Sequence, residues 1–236
     1  MPIKVVFFDA AGTLIRPVRR VGDSYARIAI RYGKEIAPSA ISERFRICFE
    51  SAPPLAFPGA SPMEIDRLER SWWKTLVRRI LEPWGPIERF DDYFSELFGY
   101  FAQPEAWTLY PEVPETLASL KERGLMLGVI SNFDSRLLRI LDGLGGGHWF
   151  EQVVISSRVG YAKPAPEIFA AALGRHGIDA KAAVHVGDSR EKDLQGSVNA
   201  GLTGILVDRE RECCAATVLR VTTLKELLDM LDNNLK

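Results

Sequence analysis

The sequence predicts an α/β protein: a doubly wound, mostly parallel sheet with an all-α unit inserted after its first strand. Three observations carry that expectation. Val5-Val6-Phe7-Phe8 is an apolar run without alternation, the pattern of a parallel strand covered on both faces, and it ends abruptly in Asp9. From Val21 to about Gln103, apolar residues recur at helical spacing only. From Pro111 onward short apolar runs alternate with amphipathic stretches, which implies parallel strands joined by right-handed crossovers.

Composition narrows the field. With 236 residues, 47% hydrophobic content and a formal net charge of -1, the chain can bury a full core in one large domain or two. The 30 basic and 31 acidic residues give no electrostatic case for nucleic acid or an anionic membrane surface, so any anion site must be local. No segment approaches the roughly 20 apolar residues of a membrane span, and the first strand begins without a charged leader. The expected location is cytoplasmic, and composition leaves the oligomeric state open. Cys48, Cys213 and Cys214 match neither a disulfide framework nor a paired zinc spacing and are read as reduced thiols. His148, His176 and His185 are scattered, which points to structural or surface roles.

In chain order, Asp9 comes first. Open α/β sheets bind ligands beyond the carboxyl ends of their strands, so Asp9 is a candidate nucleophile or metal ligand; the plainer reading is a turn cap before Gly12. Arg16-Pro17-Val18-Arg19-Arg20 is a polar, proline-marked exit from the core. Helices are expected over about 22–33, 39–51, 62–82 and 87–102, started or separated by Pro38, Pro53-Pro54, Ser61-Pro62 and Gly85-Pro86, with Trp72 and Trp73 in their core. These divide the chain into a discontinuous α/β core, 1–15 plus 106–236, and a helical unit, 16–105. Two short connections would let that unit act as a lid; Arg19 and Arg20 lie close enough in sequence to reach an anionic substrate, though the plainer reading is that they are solvated.

The second half supplies further strand ends. A helix over 114–123 is closed by Gly124, and a strand over 125–130 delivers Ser131 and Asn132. A helix over 134–144 and a strand over 152–155 follow. Lys163 then sits in a glycine- and proline-marked loop before a helix over 165–176. A strand over 182–186 stops at Gly187-Asp188-Ser189, with Asp193 on the following helix, 191–200. A strand over 203–207 and a helix over 223–233 complete the alternation.

Asp9-Ala10-Ala11-Gly12-Thr13, Ile130-Ser131-Asn132, Lys163-Pro164, and Gly187-Asp188-Ser189 with Asp193 resemble, in this order, the four motifs of the haloacid dehalogenase superfamily. The resemblance spans nearly the whole chain, and the helical insert falls where that superfamily carries its type 1 cap. It implies a Rossmann-like core, Mg²⁺ as cofactor and a small, phosphorylated substrate. Asp9 would be the nucleophile, with Mg²⁺ held by Asp9, Asp188, Asp193 and the Ala11 main-chain carbonyl. Lys163, Ser131 and the Asn132 backbone would bind phosphoryl oxygens, and Thr13 would support the loop.

These roles suit the residue types. A carboxylate attacks a phosphate dianion only where charge is neutralised, which calls for a divalent cation and a lysine beside Asp9. Ala11 departs from the pattern: phosphatases of the superfamily carry there an acid that protonates the leaving oxygen, and a methyl group cannot. That acid is typically worth about 10²–10⁴-fold. Alternatives follow: a metal-free dehalogenase-type hydrolase, a phosphate- or metabolite-binding pseudoenzyme, or an enzyme using a cap lysine, for which Lys34 and Lys74 are available. Asp188 weighs against the metal-free reading.

Overall fold

The computed structural model describes residues 2–175, 177–210 and 218–233; His176, Cys213 and Cys214 lie outside these. Cys48 is buried and unpaired. In chain order the strands are β1 (Val5–Phe8), β2 (Ile15–Pro17), β3 (Trp107–Leu109), β4 (Met126–Ser131), β5 (Gln152–Ile155), β6 (Ala183–Gly187), β7 (Thr203–Val207) and β8 (Arg220–Val221). The helices are α1 (Val21–Ile30), α2 (Pro38–Glu50), α3 (Pro62–Leu81), α4 (Phe90–Tyr100), α5 (Val113–Glu122), α6 (Arg136–Gly143), α7 (Ser156–Val159), α8 (Pro166–Gly174), α9 (Gly196–Asn199) and α10 (Glu226–Asp232).

Six strands form one parallel sheet in the order β5-β4-β1-β6-β7-β8. The apolar run of β1 is explained by its place in the middle. Val6 and Phe8 enter a core cluster with Val129, Leu137 and Val186 on one face, while Val5 and Phe7 enter another with Ile130, Ile168 and Phe169 on the other. A strand buried on both faces needs apolar residues at every position. Phe8 lies opposite Val129 on one side and Val186 on the other, so the residues just past β1, β4 and β6 emerge side by side where the strand order reverses direction.

α1 to α4 pack around their own core, which includes Tyr25, Ile28, Ile41, Leu76, Ile80, Tyr93 and Leu97. The start of α3 is set by a capping box: Ser61 and Glu64 satisfy one another's end of the helix, with Pro62 in the first turn. Trp72 and Trp73 are half-buried against this cluster rather than enclosed by it.

The observed elements differ from the sequence expectation in three places. Arg16-Pro17 is part of an antiparallel ribbon: β2 pairs with β3, Ile15 opposite Leu109 and Pro17 opposite Trp107, joining the two links to the helical unit. Its three-residue strands are too short for a periodic signal, and Pro17 is tolerated because the ribbon has free edges. The expected 191–200 helix is a π-helical turn, Arg190–Gln195, followed by the short α9, a wider winding that apolar spacing does not distinguish. β8 is a two-residue sheet edge with no readable pattern. Among the described residues no helix is long and apolar enough to cross a membrane.

Candidate active site

Asp9 follows β1, Ser131 ends β4, Asp188 follows β6, and Lys163 comes from the loop between α7 and α8. The Lys163 ammonium donates to Asp9 Oδ1 at 2.7 Å, to Asp193 Oδ1 at 2.5 Å and to the Ile130 carbonyl at 2.7 Å, using all three of its donors. Ser131 Oγ donates to the same Asp9 oxygen at 2.9 Å. Both bonds fall on Oδ1, which orients the carboxylate and leaves Oδ2 outside them. The Asn132 side chain pairs with the Lys163 backbone in both directions, donating to its carbonyl at 2.8 Å and accepting from its N–H at 2.7 Å. Asn132 therefore holds the lysine loop against the end of β4.

Two glycines make this convergence possible. Gly12 has φ +93°, and a Cβ there would stand 2.2 Å from Asp188 Oδ2. A Cβ at Gly187 would come within 2.2 Å of Asp193 Cγ. Any side chain at either position would push a carboxylate aside.

Three carboxylates thus face one ammonium, a formal excess of two negative charges when all are ionised. Burial raises the Asp9 pKa and is only partly countered by Lys163. Burial works against the Lys163 charge as well, but the facing Asp193 and Asp9 outweigh it and hold the lysine protonated. Burial would also raise Asp193, yet Lys163 and His185 hold it below the usual carboxylate range. Asp188 is exposed at the cavity, yet partial desolvation by the protein around it, with repulsion from Asp9 and Asp193, pushes it up to about 7.

Oxygens of Asp9, Asp188 and Asp193 lie within 4.8 Å of one another. Those of Asp193 are already occupied: Oδ1 accepts from Lys163 and from His185 Nε2 at 2.9 Å, and Oδ2 accepts from the Ser189 N–H at 2.9 Å. Asp9 Oδ2 and the Asp188 carboxylate are the oxygens left for a cation. The under-compensated charge and all-oxygen donor set fit a hard divalent ion.

A cavity of about 360 Å³ opens over these groups. Asp9, Ala11, Ser131, Asn132, Lys163, Asp188 and Asp193 all line it; the methyl group of Ala11 brings no titratable group to it. Thr13 does not line it: it is fully buried and its hydroxyl makes no hydrogen bond among the described residues. Arg19 and Arg20 are exposed and outside the lining, in line with the plainer reading that they are solvated. Lys34 bonds the Trp84 carbonyl and Lys74 pairs with Asp91, and neither lines the cavity.

Three features were missed in the sequence. Arg209, just past β7, donates to the Gly12 and Thr13 carbonyls at 3.3 and 2.8 Å, pairs with Glu112 at 2.6 Å and lies 3.6 Å over the Tyr110 ring, pinning the loop that carries Asp9. It obeys the same strand-end rule that located Asp188. His185, read as structural, bonds Asp193; burial lowers its pKa, so the ring is neutral and Nε2–H is the donor. Asp134 accepts from Trp73 at 2.6 Å, which ties α3 to the core and takes Trp73 from the helical core to the cavity wall.

A haloacid dehalogenase-like hydrolase family model matches residues 3–201. The haloacid dehalogenase-like hydrolase domain-containing protein 3 of Danio rerio is 34% identical over 89% of this chain and 87% of its own length. A phosphoserine phosphatase of Thermus thermophilus is 32% identical over 95% of this chain and 98% of its own length. The crystal structure of the putative HAD-hydrolase YfnB from Bacillus subtilis bound to magnesium superposes with a TM-score of 0.76 at 15% identity, covering 98% of this chain and all of that one, a likeness of fold.

Proposed function

We propose, for a chain that belongs to the haloacid dehalogenase-like hydrolases, a Mg²⁺-dependent phosphohydrolase acting on a small phosphorylated molecule through an aspartyl-phosphate on Asp9. The observation that carries the reading is the charge arrangement: a buried carboxylate fixed through one oxygen by Lys163 and Ser131, its other oxygen outside those bonds, with Asp188 beside it lacking a matching cation. Asp9, Asp188 and the Ala11 carbonyl would hold the ion, which when bound would offset their charge and that of the phosphoryl oxygens. Asp193 belongs to the same acidic group, and its bonds suit it to holding Lys163 and the Ser189 turn in place.

Asp9 Oδ2 attacks phosphorus, the bond from phosphorus to the leaving oxygen breaks, and that oxygen departs with the electron pair. Lys163 and Ser131 keep the attacking carboxylate aimed, and the Lys163 charge would offset the negative charge gathering on the phosphoryl group. Water then attacks phosphorus and expels the Asp9 carboxylate, releasing inorganic phosphate and regenerating the enzyme. Ala11 supplies no proton to the departing oxygen, so the reaction suits leaving groups that depart as anions. A metal-free carbon–halogen hydrolase would have no use for the Asp188 carboxylate at the nucleophile.

Turnover of acyl, aryl and alkyl phosphates, with and without Mg²⁺, tests the reading in the parent and in Asp9→Asn. Acyl and aryl phosphates are expected to be hydrolysed only with Mg²⁺, and the variant to lose on the order of 10³-fold or more. Turnover that persists in Asp9→Asn, or halide release from 2-haloacids without metal, would contradict it.

A further inference from the structure

The wall of the cavity that faces Asp9 differs in kind from its floor. Every lining residue contributed by α1 to α4 is uncharged, and most are aromatic: Phe45 and Phe49 from α2, Trp73 and Val77 from α3, Phe94 and Phe98 from α4. The rings are arranged against one another, Phe45 stacked on Phe49 at 5.4 Å and Phe49 on Trp73 at 6.0 Å between centroids. All the charged lining groups come from the core: Asp9, Lys163, Asp188 and Asp193 gather at the phosphate end, while Arg136 and Lys192 lie against rings of the wall.

The one guanidinium in the lining is not available to a ligand. Arg136 donates through Nε and Nη2 to the two oxygens of Asp134, at 2.8 and 2.7 Å, and through Nη1 to the Phe98 carbonyl at 3.2 Å, with its face 3.9 Å over the Phe98 ring. Its fork is closed by Asp134, so it cannot clamp a substrate carboxylate. Lys192 is exposed at the rim, with its ammonium 6.0 Å from the centre of the Phe49 ring. A carboxylate on the substrate, carried between these rings, would lose water and find no cation deeper than Lys192 at the rim. A ring would gain edge and offset contacts with them.

We infer that the group carried by the phosphate is an apolar, ring-sized body, aryl or branched hydrocarbon, without an acidic substituent of its own. The inference rests on the phosphohydrolase reading for the phosphate end and adds the class of leaving group. It agrees with Ala11, because an aryl or enol oxygen departs as an anion more readily than an alkyl one.

Binding of three non-hydrolysable probes to the full chain with Mg²⁺ tests it by calorimetry: methylphosphonate, 2-naphthylmethylphosphonate and 3-phosphonopropionate. The naphthyl compound is expected to bind at least about 10-fold tighter than methylphosphonate, and the carboxylate compound no tighter. Phe45→Ala and Phe49→Ala should each cut the naphthyl advantage several-fold while methylphosphonate binding stays unchanged. A naphthyl compound that binds no better than methylphosphonate, or a carboxylate compound that binds best, overturns the inference and leaves the phosphate-site reading standing. Failure of all three to bind overturns both.

Discussion

The floor of the cavity is three carboxylates and an ammonium, with all three lysine donors and both Asp193 oxygens committed, whereas its roof is a set of aromatic side chains held mainly by packing, Trp73 alone among them donating to Asp134. The two are specified differently. At the floor a displacement of 1 Å leaves a buried charge unpaired, so position is fixed by charge and by the Cβ-free approaches at Gly12 and Gly187. At the roof one ring can replace another at modest cost, so volume and apolarity matter more than exact contacts. Chemistry is therefore expected to be intolerant of change at the floor, and selectivity to be tunable at the roof.

The largest expected effect breaks the floor. Lys163→Met leaves Asp9 and Asp193 facing each other with no cation, so phosphoryl transfer should fall on the order of 10³-fold and stability by about 3–5 kcal/mol, measured by turnover and denaturant titration. A fold as stable as the parent would mean that the carboxylates repel less than their geometry implies. A smaller loss is expected from Arg209→Met, which keeps contact with Tyr110 but releases the Gly12 and Thr13 carbonyls: about 10-fold in kcat, with KM for the phosphate little changed.

The smallest effect lies between the two regions. Glu69 of α3 accepts through one oxygen from the Ser135 N–H, the Ser135 hydroxyl and the Ser157 hydroxyl, joining roof to floor. Burial raises its pKa. The folded state therefore holds the proton more tightly than the unfolded one; the stability this contributes is complete below the ordinary glutamate value and is lost as pH rises through the folded value. Glu69→Gln keeps the acceptor oxygen and removes that loss. It should match or exceed the parent at pH 8 by about 1 kcal/mol or less, with the difference vanishing near pH 4. Thermal melts at both pH values check this, and a variant markedly less stable at pH 8 would show that the charge itself holds the joint.

The floor was legible in the sequence because one rule governs most of it: apolar runs that stop at a polar residue mark strand ends, and Asp9, Ser131, Asn132 and Asp188 are such stops. The loop residue Lys163 came from motif order. The four helices were legible from spacing, and the starts of α2 and α3 from Pro38 and Pro62. Arg209 obeys the strand-end rule but belongs to no motif quoted in the sequence. The bonds from Trp73 and Glu69 to Asp134 and Ser135 join residues over sixty positions apart, which local pattern cannot reveal. Trp73 read as core because an indole on an apolar helix face gives the same spacing whether it packs inward or roofs a cavity.

Ala11 is where floor and substrate meet, and restoring an acid there is the most direct measurement. If the floor performs phosphoryl transfer and lacks only a proton donor, Ala11→Asp should raise kcat/KM for an alkyl phosphate such as 2-phenylethyl phosphate by on the order of 10²-fold and change that for acetyl phosphate little, since acetate leaves without a proton. Rapid hydrolysis of 2-phenylethyl phosphate by the parent, slowed by Ala11→Asp, would contradict it and place the proton donor on another residue.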